Sequence, residues 1–236
     1  MESYYKIAGL TVKLESFGRT MEQAEPYRCE PCEAVDAEVS TKGFDLERLV
    51  PGETPDLQEY LISGAVFYRE LIRFGGMMLH SSAVVVDGKA YLFTANPGVG
   101  KSTHTGLWVE QFKDRDAYVL NDDKPAIRFQ DGTWYAYGTP WSGKHDISRN
   151  IGVPLAGIAV LERGETNEIQ RFSGPEAIRA LLKQMNRPGI AEIRIRLMAL
   201  INELFTHVPI WKLRCTIDPE AVKVAYEAMS GKKIDA

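Results

Sequence analysis

Residues 95–103 run Ala-Asn-Pro-Gly-Val-Gly-Lys-Ser-Thr, and the stretch from Ala95 to Ser102 follows the phosphate-loop pattern with alanine in place of its first glycine. The spacing suits the chemistry. Small residues at Ala95, Gly98 and Gly100 let backbone N–H groups converge on phosphate oxygens, and a helix after the loop adds its partly positive N-terminus. Asn96, Pro97 and Val99 complete the loop, and Thr103 leads out of it. Lys101 is expected to reach the β- and γ-phosphates, and the Ser102 hydroxyl to ligate magnesium held by those phosphates. The expected ligand is a nucleoside triphosphate, ATP or GTP, with Mg.

Three further groups could act on it. Asp122 and Asp123 close an apolar run at 117–121, where a carboxylate beside a phosphate loop holds magnesium or its water. Two adjacent acids can divide the work, one facing metal and the other accepting the proton of an attacking hydroxyl. His80 sits at the start of the hairpin that leads into the loop. Residues 138–149 form a long polar stretch with Trp141, Lys144, His145 and Arg149. Lys144 or Arg149 could neutralise a transferring phosphoryl group or hold an anionic substrate, with Trp141 beside them.

These residues need elements to hold them. Residues 77–86 and 89–94 are expected as strands joined by a tight turn at Asp87-Gly88, with a helix over 102–112 after the loop. Strands are expected at 117–121, 125–129, 133–137 and 155–161, and the turn signal Gln130-Asp131-Gly132 makes several of them antiparallel. Upstream, one strand is expected at 4–15, another near 33–40, and an amphipathic helix at 56–74 that stops at Gly75-Gly76. Downstream, Ser173 to Glu176 suggests a capping box opening a helix to about 184. A second helix at 190–205, a strand at 209–215 and a last helix between Asp218 and Gly231 follow. The expected division is an N-terminal β/α appendage at 1–76 and a nucleotide-binding core at 77–236.

Bulk properties narrow the class. The 236 residues are 44% hydrophobic and 25% charged, ordinary for a globular chain that can bury a core without staples. A net charge of -4 gives no reason to expect nucleic acid or a membrane surface as partner. No apolar run approaches the ~20 residues of a membrane span, and no leader pattern opens the chain. Three cysteines do not make a disulfide framework. A cytoplasmic protein is expected. Cys29 and Cys32 have redox-motif spacing without the surrounding βαβ pattern, so incidental thiols are expected. Arg187, Arg194 and Arg196 suggest the solvated face of a helix.

The order His80, hairpin, Pro97-Gly98-Val99-Gly100-Lys101-Ser102, then Leu120-Asn121-Asp122-Asp123 resembles the catalytic domain of the HPr kinase/phosphorylase family. The resemblance covers roughly residues 77–130. It implies an α/β fold, α+β-like, with a P-loop core on a mixed, largely antiparallel sheet similar to PEP carboxykinase. It also implies oligomer formation, Asp122 as base assisted by His80, and Asp123 as magnesium contact. The sequence departs from the family after the core, where Tyr137 to Arg149 replace the downstream signature, and resembles the shorter HPr kinase-like proteins. The resulting expectation is an ATP- and magnesium-dependent phosphotransferase acting on a hydroxyl of a small molecule, peptide or protein serine. The alternative is a nucleotide-binding sensor or interaction module. A phosphorylase or carboxykinase-type lyase is a third reading, which the missing signatures argue against.

Overall fold

The computed structural model describes residues 2–234; Met1 and residues 235–236, the ends of the expected appendage and core, lie outside them. The chain opens with a hairpin where one continuous strand was expected. β1 (Glu2–Ile7) and β2 (Leu10–Glu15) pair antiparallel across Ala8 and Gly9, at φ 51 and 75. A two-residue turn with both φ positive matches strand twist, but alanine is not one of its usual residues and gave no signal. The short helix α1 (Gly18–Ala24) was likewise not expected. β3 (Arg28–Cys29) and β4 (Ala37–Ser40) complete a four-stranded sheet in the order β3-β1-β2-β4, and α2 (Leu46–Leu49) follows.

α3 (Pro55–Leu71) is started by Thr54, whose hydroxyl accepts from the Leu57 amide at 3.3 Å, with Pro55 at its first position. Gly75 ends it after a 3-10 turn, at φ 74. Its buried stripe of Tyr60, Ser63, Phe67 and Leu71 recurs every three or four residues. Tyr60, Phe67 and Leu71 belong to a core cluster holding Leu14 and Val39 of the small sheet together with Met78, Ala126 and Trp141 from beyond residue 76. α3 therefore joins the two halves of the chain.

The second sheet has nine strands. They are β5 (Gly76–Met78), β6 (Ser81–Val86), β7 (Lys89–Thr94), β8 (Tyr118–Asn121), β9 (Ala126–Gln130), β10 (Thr133–Tyr137), β11 (Gly152–Arg163), β12 (Glu168–Arg171) and β13 (Ile210–Cys215). The order is β5-β9-β10-β11-β7-β6-β8, with β13 on the later half of β11 and β12 outside it. Pairing is antiparallel except where β11 runs parallel to β7 and to β13. Four helices cover it: α4 (Lys101–Gln111), α5 (Gly174–Leu182), α6 (Ala191–His207) and α7 (Pro219–Ser230).

Strand alternation explains the layers. In β6, Val85 faces α5 and α6 with Leu92 and Ile158, whereas Val84 faces α4 and α7 with Phe93, Trp108 and Tyr226. With both faces covered, the central strands are apolar throughout rather than alternating. The fold is a mixed α/β architecture. The expected capping box at Ser173 does not form: its side chain makes no cap bond, and Gly174 at φ 74 opens α5 instead. Asp218 does cap α7, accepting from the Ala221 amide at 3.3 Å, and Gly231 ends it at φ 71.

Candidate functional site

The glycine-rich loop leaves β7 at its C-terminal end. Ala95 is buried, and Asn96, Pro97 and Gly98 are exposed. Gly98 and Gly100 sit at φ 78 and 119, conformations that side chains rarely adopt, so glycine is required there by the backbone. Gly100 caps α4 and accepts from the His104 amide at 2.9 Å. The first amides of the helix have no intrahelical partner and face outward with the positive end of the dipole. Lys101 is half-buried and folds back so that Nζ donates to the Ala95 carbonyl at 3.4 Å. Burial lowers the pKa of its ammonium against the opposing pull of Asp123 and Asp122. Ser102 and Thr103 are exposed at the helix start. Arg163, at the end of β11, donates to the carbonyls of Gly98 and Val99 and clamps the loop from the neighbouring strand.

Beside the loop lies a cavity of about 590 Å³, lined among others by Val99, Thr103, Leu107, Arg163 and Ile217. It opens at the C-terminal ends of β7, β11 and β13, the mutually parallel strands, where open α/β sheets carry ligands. His104 also lines it. Burial drives the His104 imidazole down to about 4, so it stays neutral and its Nε2 accepts from Trp108 Nε1 at 3.0 Å.

The acidic pair is built by Asn121. This fully buried side chain accepts from the amides of Asp123 (3.1 Å) and Lys124 (2.8 Å), forming a turn that throws both carboxylates forward. Its amide group donates to the Thr139 carbonyl at 3.1 Å and to Ser148 Oγ at 3.2 Å, tying both ends of the 138–149 loop to the same point. Asp122 Oδ1 accepts from Ser82 Oγ at 2.7 Å, and Ser82 is 2.7 Å from Thr105 Oγ1 in the first turns of α4. Asp123 takes the other side: Oδ1 lies 2.9 Å from His80 Nε2 and Oδ2 2.8 Å from Lys124 Nζ. Burial alone would raise the Asp123 carboxyl, but His80 and Lys124 hold it well below the usual carboxylate range.

His80 reaches that position because the strand expected at 77–86 is broken. β5 pairs with β9, β6 pairs with β7 and β8, and the chain changes neighbours at Leu79-His80. The His80 amide is held by the Gln184 carbonyl at 2.8 Å. The histidine thus meets Asp123 and not Asp122, the partner expected from sequence.

The 138–149 loop differs most from expectation. Trp141, expected at the acceptor, is fully buried, stacked on Phe67 at 4.9 Å, and donates to Ser63 Oγ at 3.2 Å. A Cβ on Gly64 would come within 2.8 Å of it, so α3 is notched to receive the ring. The residue anchors the loop and does not line a site. Arg149 lies over the Tyr118 ring at 3.9 Å, beside β8 and away from the acid pair. Lys144 and His145 are exposed on the loop's outer side. Gly143 does approach the site: at φ 77, its Cβ would sit 2.6 Å from that of Asp123. Tyr60 and Arg19 hold this glycine through its amide and carbonyl.

The oxygen donors at hand for a cation are Asp122, Asp123 and the exposed Ser102 hydroxyl. Among the described residues no group of three or more His, Cys, Asp or Glu side chains forms a metal cage. A magnesium that arrives on phosphates needs only one or two protein ligands, so these residues fit that ion. Cys29, Cys32 and Cys215 are free thiols; the first two lie outside this region, and Cys215 lines the cavity beside the loop. Sequence reasoning missed Arg163, Ser82, Asn121 and Gly143. Asn121 stood in the motif ahead of the acids and Gly143 inside a long loop, whereas Arg163 and Ser82 carried no signal.

Site and sheet together define a mixed α/β protein that carries a glycine-rich helix start and an acid pair on one sheet. The family model of SynChlorMet cassette protein ScmC matches residues 57–221, from α3 into α7, and the chain belongs to that family. Among solved structures, the Hpr(Ser) kinase/phosphatase from Coxiella burnetii is similar at 14% identity, over 53% of this chain and 93% of that chain, with a TM-score of 0.30. No curated protein matches in sequence. Among the described residues no helix is long and apolar enough to cross a membrane.

Proposed function

We propose that the chain binds a magnesium–nucleoside triphosphate, ATP or GTP, at residues 95–103 and transfers its γ-phosphate to a hydroxyl. The observation that carries this reading is a glycine-rich helix start, Gly98 and Gly100 at positive φ followed by Lys101, on the same sheet as two carboxylates at the end of β8, one of them 2.9 Å from a histidine.

The geometry favours an exchange of the two acids' roles. Asp123, fixed by His80 and flanked by the 138–149 loop, is the better placed to orient an acceptor hydroxyl; Asp122, linked through Ser82 to Thr105, faces α4 and belongs with Ser102 on the metal side. In this account Asp123 orients the acceptor hydroxyl and takes its proton, and His80 fixes the carboxylate. The phosphoryl group passes with attacking and leaving oxygens in line, and charge on its oxygens meets Lys101 and the α4 amides. Magnesium, when bound, neutralises charge shared between the phosphates. The cavity beside Val99 and Leu107 is suited in size to the nucleoside. Arg149, stacked on Tyr118, has no part in this arrangement.

The test is transfer of γ-phosphate from labelled ATP or GTP to pooled metabolites and peptides. The expected result is a labelled acceptor with the wild type and none with Asp123→Asn. Nucleotide binding with no transfer to any acceptor would favour the alternative, a nucleotide-dependent interaction module. The glycine-rich helix start is compatible with that module, but the His80–Asp123 pair is not explained by it.

A further inference from the structure

Arg187, Arg194 and their neighbours were expected as a solvated helix face; instead they surround a groove. Between α5, α6 and the connection joining them lies an open cavity of about 750 Å³. Its apolar surface comes from Leu182, Pro188, Ala191, Ile195 and Met198, and Ile195 and Met198 stand 71% and 47% exposed. Isolated apolar residues on a surface are ordinary; a concave group of them rimmed by charge marks an interaction site.

The rim is of one sign. Arg179, Lys183, Arg187 and Arg194 line the groove, and all four are exposed. Among the described residues none of the four lies within ion-pair distance of a carboxylate. Arg187 and Arg194 donate instead to the carbonyls of Leu182 and Gly189, which fixes their stems along the rim. The chain as a whole carries a net charge of -4, so four cations without counter-ions around an apolar floor run against its overall balance. This charge pattern complements an acidic segment with apolar anchors.

The groove is also joined to the candidate active site. Gln184, next to Lys183, accepts from the His80 amide at 2.8 Å and donates from Nε2 to Asn96 of the glycine-rich loop at 3.5 Å. A chain seated between α5 and α6 therefore lies on the element that backs His80.

We propose that this groove docks an acidic, amphipathic peptide segment carrying the phosphate acceptor. The proposal deepens the phosphotransferase reading and rests on it for the acceptor's fate, but docking itself requires no nucleotide. Leucine- or isoleucine-type anchors enter the groove, and Asp or Glu side chains meet the four cations. An anionic membrane surface would also suit cations and apolar residues, but a concave site on the segment whose Gln184 bonds His80 and Asn96 favours a chain over a plane.

The test uses the full-length protein on an array of tethered peptides of about three helical turns, with degenerate composition around a fixed serine and no nucleotide present. The expected result is enrichment of peptides combining Asp or Glu with Leu or Ile. Arg187→Glu/Arg194→Glu should weaken that binding about tenfold or more and turn the preference toward basic peptides. Arg179→Glu/Lys183→Glu, at positions that bond no backbone carbonyl, should give the same reversal, and retained stabilisation by ATP and magnesium shows that either variant is folded. Binding without acidic preference, or preference unchanged in both variants, overturns the proposal. So does binding to phosphatidylglycerol vesicles that the same variants abolish, with no peptide selected. Adding labelled ATP to the same array then separates the two ideas: docking without labelling leaves the groove and sinks the transferase.

Discussion

Nε2 of His80 lies 2.9 Å from Oδ1 of Asp123, while the other oxygen of the same carboxylate meets Lys124 Nζ at 2.8 Å. The two contacts come from opposite sides of the chain's path, one from the break between β5 and β6 and one from the turn after β8. Between them they keep a half-buried carboxylate ionised and fix both its oxygens. In a loose phosphoryl-transfer transition state the attacking hydroxyl loses its proton late, so a fixed, ionised acceptor serves orientation more than basicity.

The first prediction concerns that pair. Asp123→Asn should lower transfer by about 10² to 10⁴-fold while nucleotide binding is kept. His80→Ala should cost less and shift the pH profile. With the His80 bond gone, burial is less opposed and the Asp123 carboxyl rises, so the acidic limb of kcat/KM moves to higher pH. An unmoved limb in His80→Ala would mean that the histidine does not act through Asp123.

Gly143 offers a test of placement. A methyl there would meet Asp123 Cβ at 2.6 Å, and φ 77 disfavours a side chain besides. Gly143→Ala should displace the loop or the carboxylate by a fraction of an ångström to an ångström and reduce kcat by about tenfold to a hundredfold. Nucleotide affinity, set at 95–103, should not change. Equal loss of both would show that the loop supports the whole fold and not Asp123.

How much of this was legible in the sequence depends on the range of the contact. The glycine-rich loop and the hairpin ahead of it were readable, because Gly98, Gly100 and the Asp87-Gly88 turn are local backbone requirements. The acid pair was readable as a motif, but which acid meets His80 depends on where the chain changes strand partners, a long-range fact. Trp141 was misjudged for the same reason. A tryptophan in a polar loop resembles a contact residue until the notch at Gly64, 77 positions earlier, is seen to receive it. The groove between α5 and α6 was invisible because its cations lie on two helices and their connection.

A stability prediction follows from Glu59, buried on α3 beneath the same loop. Burial pushes its carboxyl up to about 7, opposed by Thr20 and Ser63, and Oε1 has no hydrogen-bond partner. A raised folded-state value means that the contribution to stability is complete below about 4.5 and is lost as pH rises through about 7. Glu59→Gln should therefore match wild type near pH 4.5 and exceed it above pH 7, by on the order of 2 kcal/mol. His104 works oppositely: its value, lowered to about 4, favours the fold above 6.5 and is lost as pH falls toward 4. Chemical denaturation of both proteins across this range measures the difference directly, and a constant gap between them would refute the assignment to Glu59.

The central claim is that residues 95–103 hold a nucleotide through Lys101 and the start of α4. The direct measurement is a thermal-shift titration with ATP or GTP and magnesium on the wild type and on Lys101→Ala. A ligand present at a hundredfold excess over its Kd should stabilise the wild type by about 2.7 kcal/mol, several degrees of Tm, and the variant by little or nothing. Absence of stabilisation by ATP, GTP, ADP or pyrophosphate at millimolar concentration, or an equal shift in Lys101→Ala, would contradict it.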